Sequence, residues 1–276
     1  MDGPWPAPAK LNLFLHIVGR RGDGYHLLQT VFQLLDLCDH LLFRVRRDGV
    51  VRRCAPLPGV PEEADLTVRA ARLLQAETGC RLGVEIHLDK RLPMGGGLGG
   101  GSSDAATVLV ALNRLWGLGL SRDRLLSLAA RLGADVPVFI LGRPAWAEGV
   151  GERLQPLTLP CPWYVVIDPG CRVSTAELFQ APELTRDCQV ITIDGFLCGQ
   201  GGNVFEAVVR RRHPAVAAAL DWLGRHGRAR LTGTGGCVFA AFDDEAQARA
   251  VCADVPAPWR AHVARGLDRS PLLDMA

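Results

Sequence analysis

Apolar and polar residues alternate from Lys10 to Val18 around Leu11, Leu13, Leu15 and Ile17, the period-two pattern of a half-buried strand. Gly22-Asp23-Gly24 follows with turn chemistry, and two further β-rich stretches run over about 25–37 and 41–45. Asp65 stands where it would cap a helix reaching about Glu77, and Val84–Leu88 alternates again as a strand. A glycine-rich segment then opens an apolar helix from about Asp104 to Trp116, and Ser121 caps another that stops near Gly133, a position suited to a left-handed cap. Pro137–Leu141 reads as a strand. Beyond the proline-rich stretch 155–162, helices are predicted near 203–212 and 215–226, with a glycine-punctuated β region over 229–242. The pattern predicts a mixed α/β chain in two domains, residues 1–155 and 156–276.

Composition narrows the classes. Of 276 residues, 48% are hydrophobic and 22% charged, ordinary proportions for a globular chain. A net charge of +2 gives no field that would favour nucleic acid or an anionic membrane. No run of 18 uncharged apolar residues occurs and the start lacks the pattern of a secretory leader, so a soluble cytoplasmic protein is expected. The nine cysteines include no C-x-x-C pair, which removes zinc-ribbon spacing, and most read as small buried hydrophobes. Lysine occurs only at Lys10 and Lys90 against 29 arginines, so both persist against a strong arginine bias.

The richest chemistry lies in Pro93-Met94-Gly95-Gly96-Gly97-Leu98-Gly99-Gly100-Gly101-Ser102-Ser103. A strand before it and a helix after it create a concavity of backbone N–H groups at a helix N-terminus, the physical form of a phosphate cradle. A flexible linker is the plainer alternative, but this segment is wedged between an amphipathic strand and a capped helix. A Walker A loop needs a Gly-Lys dipeptide, and none occurs. A dinucleotide fingerprint matches formally at Gly95, Gly97 and Gly100, but the acid it requires, Asp123, sits in a helical pattern rather than at a strand end.

The same segment resembles the nucleotide-binding signature of the GHMP kinases. Three more blocks agree in order: Pro8-Ala9-Lys10-Leu11-Asn12-Leu13, Leu132-Gly133-Ala134-Asp135-Val136-Pro137, and Gly233-Thr234-Gly235-Gly236-Cys237-Val238-Phe239. The doubled glycine triplet is most similar to the branch that phosphorylates the 2-hydroxyl of 4-diphosphocytidyl-2-C-methyl-D-erythritol with ATP, a step in making isoprenoid precursors. The resemblance implies an N-terminal half like the second domain of ribosomal protein S5 and a ferredoxin-like C-terminal half. It implies ATP with Mg²⁺ as cofactors, and small-molecule partners only.

Residue by residue, the resemblance makes Asp135 the general base and Lys10 the cation that orients it; taken alone, Asp135 reads as a turn or cap residue and Lys10 as a strand-end charge. ATP would be held by residues 93–103, with Lys90 and Leu66 lining the adenine pocket and Ser103 a candidate for the metal. The substrate would be held by Asn12, Tyr25, His26, Thr175, Phe179 and Gly235, with Tyr25 and Phe179 stacking on the cytosine and His26 hydrogen-bonding to it. Residues 233–236 would form a second glycine loop facing the first across a cleft. Two positions depart from the family pattern. Asp65 replaces an Asn at the adenine pocket, where it would still accept from the adenine amino group, and Val204 replaces an Asp. Two other readings stay open: a sister kinase acting on another small alcohol, which needs no base sandwich, and a catalytically silent ATP-binding regulator, which needs neither Lys10 nor Asp135.

Overall fold

The computed structural model describes residues 1–275. It opens on two long antiparallel strands, β1 (Asp2–Arg20) and β2 (His26–Arg46), joined at the predicted turn. There Gly24 takes φ +91° and the Asp23 carboxylate accepts from the Tyr25 amide at 3.2 Å. The sequence pattern divides β2 into two stretches, yet it is one strand. Asp39, the polar interruption, is fully buried and its carboxylate is satisfied by backbone amides across the strand end, so it does not break the pairing.

Next come β3 (Val51–Arg53), α1 (Leu66–Thr78), β4 (Gly83–Asp89), α2 (Gly100–Leu115), α3 (Arg122–Leu132), α4 (Val136–Leu141), β5 (Ala145–Glu148) and β6 (Arg153–Pro156). Helix α2 is buried from Ser103 to Leu112 and packs on β1, α1 and α4 through the first hydrophobic core. Alanines at 105, 106 and 111 let it approach closely, and Thr107 Oγ1 donates to the Pro6 carbonyl. Two local readings change. Residues 136–141 form a helix rather than a strand: a short buried apolar run fits either period, and Pro137 suits a first helical turn. Gly133 is extended, with φ 172°, and is not a left-handed cap.

The remaining elements are β7 (Trp163–Asp168), α5 (Thr175–Gln180), α6 (Ile193–Leu197), α7 (Glu206–Arg212), α8 (Pro214–Leu223), β8 (Arg230–Leu231), β9 (Val238–Phe242), α9 (Glu245–Ala253) and β10 (Arg260–Leu267). Strands run in the order β3-β4-β2-β10-β7-β9-β8, and β10 joins the two halves by pairing Gly266 and Leu267 with Leu35 and Leu34. Leu15 and Ile17 of β1 sit in the second core, with β7, β9, α7 and α8. One strand thus belongs to both cores and fixes the two walls of the cleft between them. Cysteines depart from expectation: only Cys38 and Cys237 are buried, while Cys54 and Cys198 are exposed. Among the described residues no helix is long and apolar enough to cross a membrane.

Candidate active site

The glycine segment spans the gap from β4 to α2. Gly95, Gly97 and Gly99 take φ of +74°, +81° and +72°, a left-handed region that side chains disfavour. At Gly99 a Cβ would also press on Phe139 and on the methylenes of Lys10. The second glycine loop, between β8 and β9, does not face the first across open space as expected. It is hydrogen-bonded to it: Cys237 N donates to Gly96 O (3.1 Å), Gly236 N to Gly95 O (3.4 Å) and Thr232 Oγ1 to Gly97 O (3.3 Å). A Cβ on Gly235 would overlap the backbone of Gly96 and Gly97, so this contact exists only because both partners are bare backbone.

Lys10 points from β1 into the cleft beside these loops. Its Nζ lies 3.1 Å from Asp135 Oδ2 and also donates to Asn12 Oδ1, while its own amide donates to Leu98 O at 2.9 Å. Lys10 is buried and the Asp135 side chain is 35% exposed, so the pair presents its carboxylate to the cleft. Asp135 occupies the N-cap position of α4 but its side chain makes no cap hydrogen bond, which removes the plain capping role. Asn12 is fixed by donating to Thr30 Oγ1 (2.9 Å), and its amide donates to Thr232 Oγ1 (3.1 Å). β1, β2 and both glycine loops are thereby tied around one ammonium group.

At the other end, Tyr25 is 64% exposed on the rim. Phe179, on α5, stacks on His26 at 5.0 Å between centroids and 27° between planes, and meets Phe205 edge-on. The His26 Nε2 atom is buried with no partner. Burial first, then the nearby guanidiniums of Arg186 and Arg20, lower the His26 pKa and favour the neutral ring. Arg186 also closes the end of α5, donating to the carbonyls of Phe179, Ala181 and Leu184 at 2.8–2.9 Å. Thr175 Oγ1 bonds Thr234 Oγ1 at 2.6 Å and joins this end to the second glycine loop.

The cleft measures about 1450 Å³ and is lined by Lys10, Asn12, Asp135, Tyr25, His26, Thr175, Phe179, Gly235, Pro93 and most of the glycine segment. That exceeds what one small ligand needs and gives room for two. Other predicted residues lie off this lining. Lys90 sits behind Gly100, with its ammonium on Asp39 and Asp104; Leu66 sits beside Gly101; Ser103 is fully buried in α2 with a hydroxyl that has no partner; Met94 is half-buried. Asp65 is not free to accept from a base. Its carboxylate caps α1 through Thr67 N (2.8 Å) and Thr67 Oγ1 (2.7 Å), and pairs with the buried Arg53 at 2.7 Å. Asn203, beside the Val204 departure, holds the second loop by donating to Leu231 O and Gly233 O.

Sequence reasoning missed Thr30, Arg20, Arg131 and Arg186, which also line the cleft or brace its lining. In so arginine-rich a chain no single arginine stands out. Asp39 was legible in principle, as an acid inside an apolar strand, and Asp104 as an acid in the first turns of an apolar helix.

Residues 65–143 match the GHMP kinases N terminal domain family and residues 193–261 the GHMP kinases C terminal family. The 4-diphosphocytidyl-2-C-methyl-D-erythritol kinase of Nitrosococcus oceani is 63% identical over 98% of this chain and 96% of its own length. That of Halorhodospira halophila is 60% identical over 97% and 94%. The chain belongs to the GHMP kinases, in their 4-diphosphocytidyl-2-C-methyl-D-erythritol kinase family. A crystal structure of a 4-(cytidine 5'-diphospho)-2C-methyl-D-erythritol kinase superposes on this kinase with TM-score 0.82 and 36% identity, covering 95% of this chain and 98% of that one. A mevalonate kinase shares the fold at TM-score 0.71 and 13% identity. GHMP kinases use ATP as phosphate donor.

Proposed function

We propose that this kinase moves the γ-phosphoryl group of ATP to the 2-hydroxyl of 4-diphosphocytidyl-2-C-methyl-D-erythritol, in the cytoplasm, in the synthesis of isoprenoid precursors. The observation that carries the chemistry is the Lys10–Asp135 pair, 3.1 Å apart beside the glycine loops, with the carboxylate open to the cleft. Phosphoryl transfer needs an oriented hydroxyl and positive charge around the moving group more than it needs covalent chemistry. Asp135 would take the hydroxyl proton. Lys10, held by Asn12, would orient that acid and offset charge on the phosphoryl group. The amides of residues 95–101 and the open end of α2 would cradle the nucleotide phosphates.

Mg²⁺ would offset charge on the ATP phosphates and help hold them in line. Among the described residues no group of three His, Cys, Asp or Glu could hold a metal by itself. The ion would be carried mainly by phosphate oxygens; Ser103, the candidate protein ligand, has an unpartnered hydroxyl but is fully buried in α2 off the cleft lining. Tyr25, His26 and Phe179 form the aromatic end of the cleft and would take the cytosine, with the neutral His26 ring hydrogen-bonding through its free Nε2.

The test is ATP consumption with Mg²⁺ against the cytidyl compound, mevalonate and homoserine, with the product located by phosphorus NMR. Turnover of the cytidyl compound alone, at the 2-hydroxyl, is expected. Turnover of another alcohol instead would overturn the assignment, and ATP binding without turnover of any would leave a regulator.

A further inference from the structure

Behind the glycine segment, away from the cleft, lies a buried cluster of three ionisable side chains that the proposed chemistry does not use. Lys90 Nζ donates to Asp39 Oδ2 (2.6 Å) and Asp104 Oδ2 (2.7 Å), and both carboxylates are almost fully buried. The other Asp39 oxygen accepts from the amides of Arg91 (2.6 Å) and Leu92 (2.7 Å), the two residues that lead into Pro93. Asp104 belongs to the opening turns of α2, where the segment ends. A Cβ on Gly100 would come within 2.9 Å of Lys90 Nζ and 3.4 Å of Asp39 Oδ2, so the helix entrance rests directly on the cluster. Asp39 therefore holds the entry of the loop, Asp104 its exit, and Lys90 ties the two together.

We propose that Asp39, Lys90 and Asp104 are positioning residues that set the two ends of the glycine loop in register for the phosphates of the nucleotide. Lys90 acts through the loop, not by touching the base, in contrast to the adenine-pocket role that the family resemblance implies. The inference rests on the reading of the loop as a phosphate site. Three partners are needed because a lone buried charge at this depth is costly, whereas a lysine between two carboxylates is held on both sides.

Binding of ATP and of adenosine to the whole chain separates these roles, because adenosine carries the base without phosphates. In Lys90→Met, ATP affinity is expected to fall on the order of tenfold or more, the usual result of a misplaced site, while adenosine affinity is retained. Asp104→Asn, which still accepts from Lys90, should keep ATP affinity within about threefold, whereas Asp104→Ala should lose it as Lys90→Met does. Should Lys90→Met fail to fold, Asp104→Ala, which keeps the Lys90–Asp39 contact, carries the same comparison. Equal loss of ATP and adenosine would make Lys90 a base contact and overturn the proposal, as would ATP binding that no variant alters. Wild-type protein that binds ATP no better than adenosine would instead refute the phosphate site itself, a failure visible before any variant is made.

Discussion

The two ends of the cleft are built differently. At the glycine-loop end, Lys10 and Asn12 are buried, two glycine loops are hydrogen-bonded to each other, and the Lys10–Asp135 pair is anchored from several segments at once. At the aromatic end, Tyr25 stands exposed beside a turn, and Phe179 rides on a six-residue helix whose end is closed by one arginine. Rigid placement matters where charge must meet a transferring group, because catalysis there is positioning and fixed electrostatics. Base recognition tolerates an adaptable surface, since stacking acts over broad faces rather than at one atom. In this structure Phe179 stacks on the His26 ring.

The sharpest way to break this contrast is Asp135→Asn. It should lower turnover by about 10²–10⁴, the usual share of a general base, with ATP binding retained. Near-full turnover would remove Asp135 from its role. Gly235→Ala comes next: its Cβ has no room against Gly96 and Gly97, so the two loops must part. The KM for ATP should rise by roughly tenfold or more, with a lower melting temperature, because a small displacement at a phosphate site is felt strongly.

Tyr25→Ala should raise the KM for the cytidyl substrate roughly 5- to 150-fold, the range that one lost stacking contact spans, and leave the ATP KM alone. A parallel loss of ATP affinity would show that the aromatic end is not a separate device. The smallest effect is a pH dependence. Burial, Arg186 and Arg20 hold the His26 pKa below 6.5, so the folded ring stays neutral as pH falls past the point where an unfolded one would take up a proton. The rise in KM for the cytidyl substrate should therefore begin below pH 6.5 and move upward in Arg186→Gln. A rise centred above pH 6.5 in the wild type would contradict the neutral ring.

What the sequence made legible follows the same division. The glycine segment announces itself because its backbone conformation demands glycine at particular spacings, whereas Lys10 and Asp135, which alone read as a strand-end charge and a cap, are legible only through the family resemblance. Their elements were less legible: residues 136–141 are apolar and short, so helix and strand periods fit equally, and Asp39 disguised β2 as two strands. Asp65 misled for a related reason. The residue type suits a base contact, but Arg53, twelve residues away, claims its carboxylate, and such pairings appear only in three dimensions. The contact between the glycine loops was hidden likewise, because a glycine's reason for being small is the neighbour it approaches.

The most direct test of the divided cleft is the wild-type kcat/KM for 4-diphosphocytidyl-2-C-methyl-D-erythritol beside that for the same compound lacking its cytidine. The aromatic end predicts a fall on the order of 10²-fold when the base is removed, with ATP affinity unchanged. Equal values for the two compounds would contradict it, and would leave the Lys10–Asp135 centre serving an alcohol that this protein selects by other means.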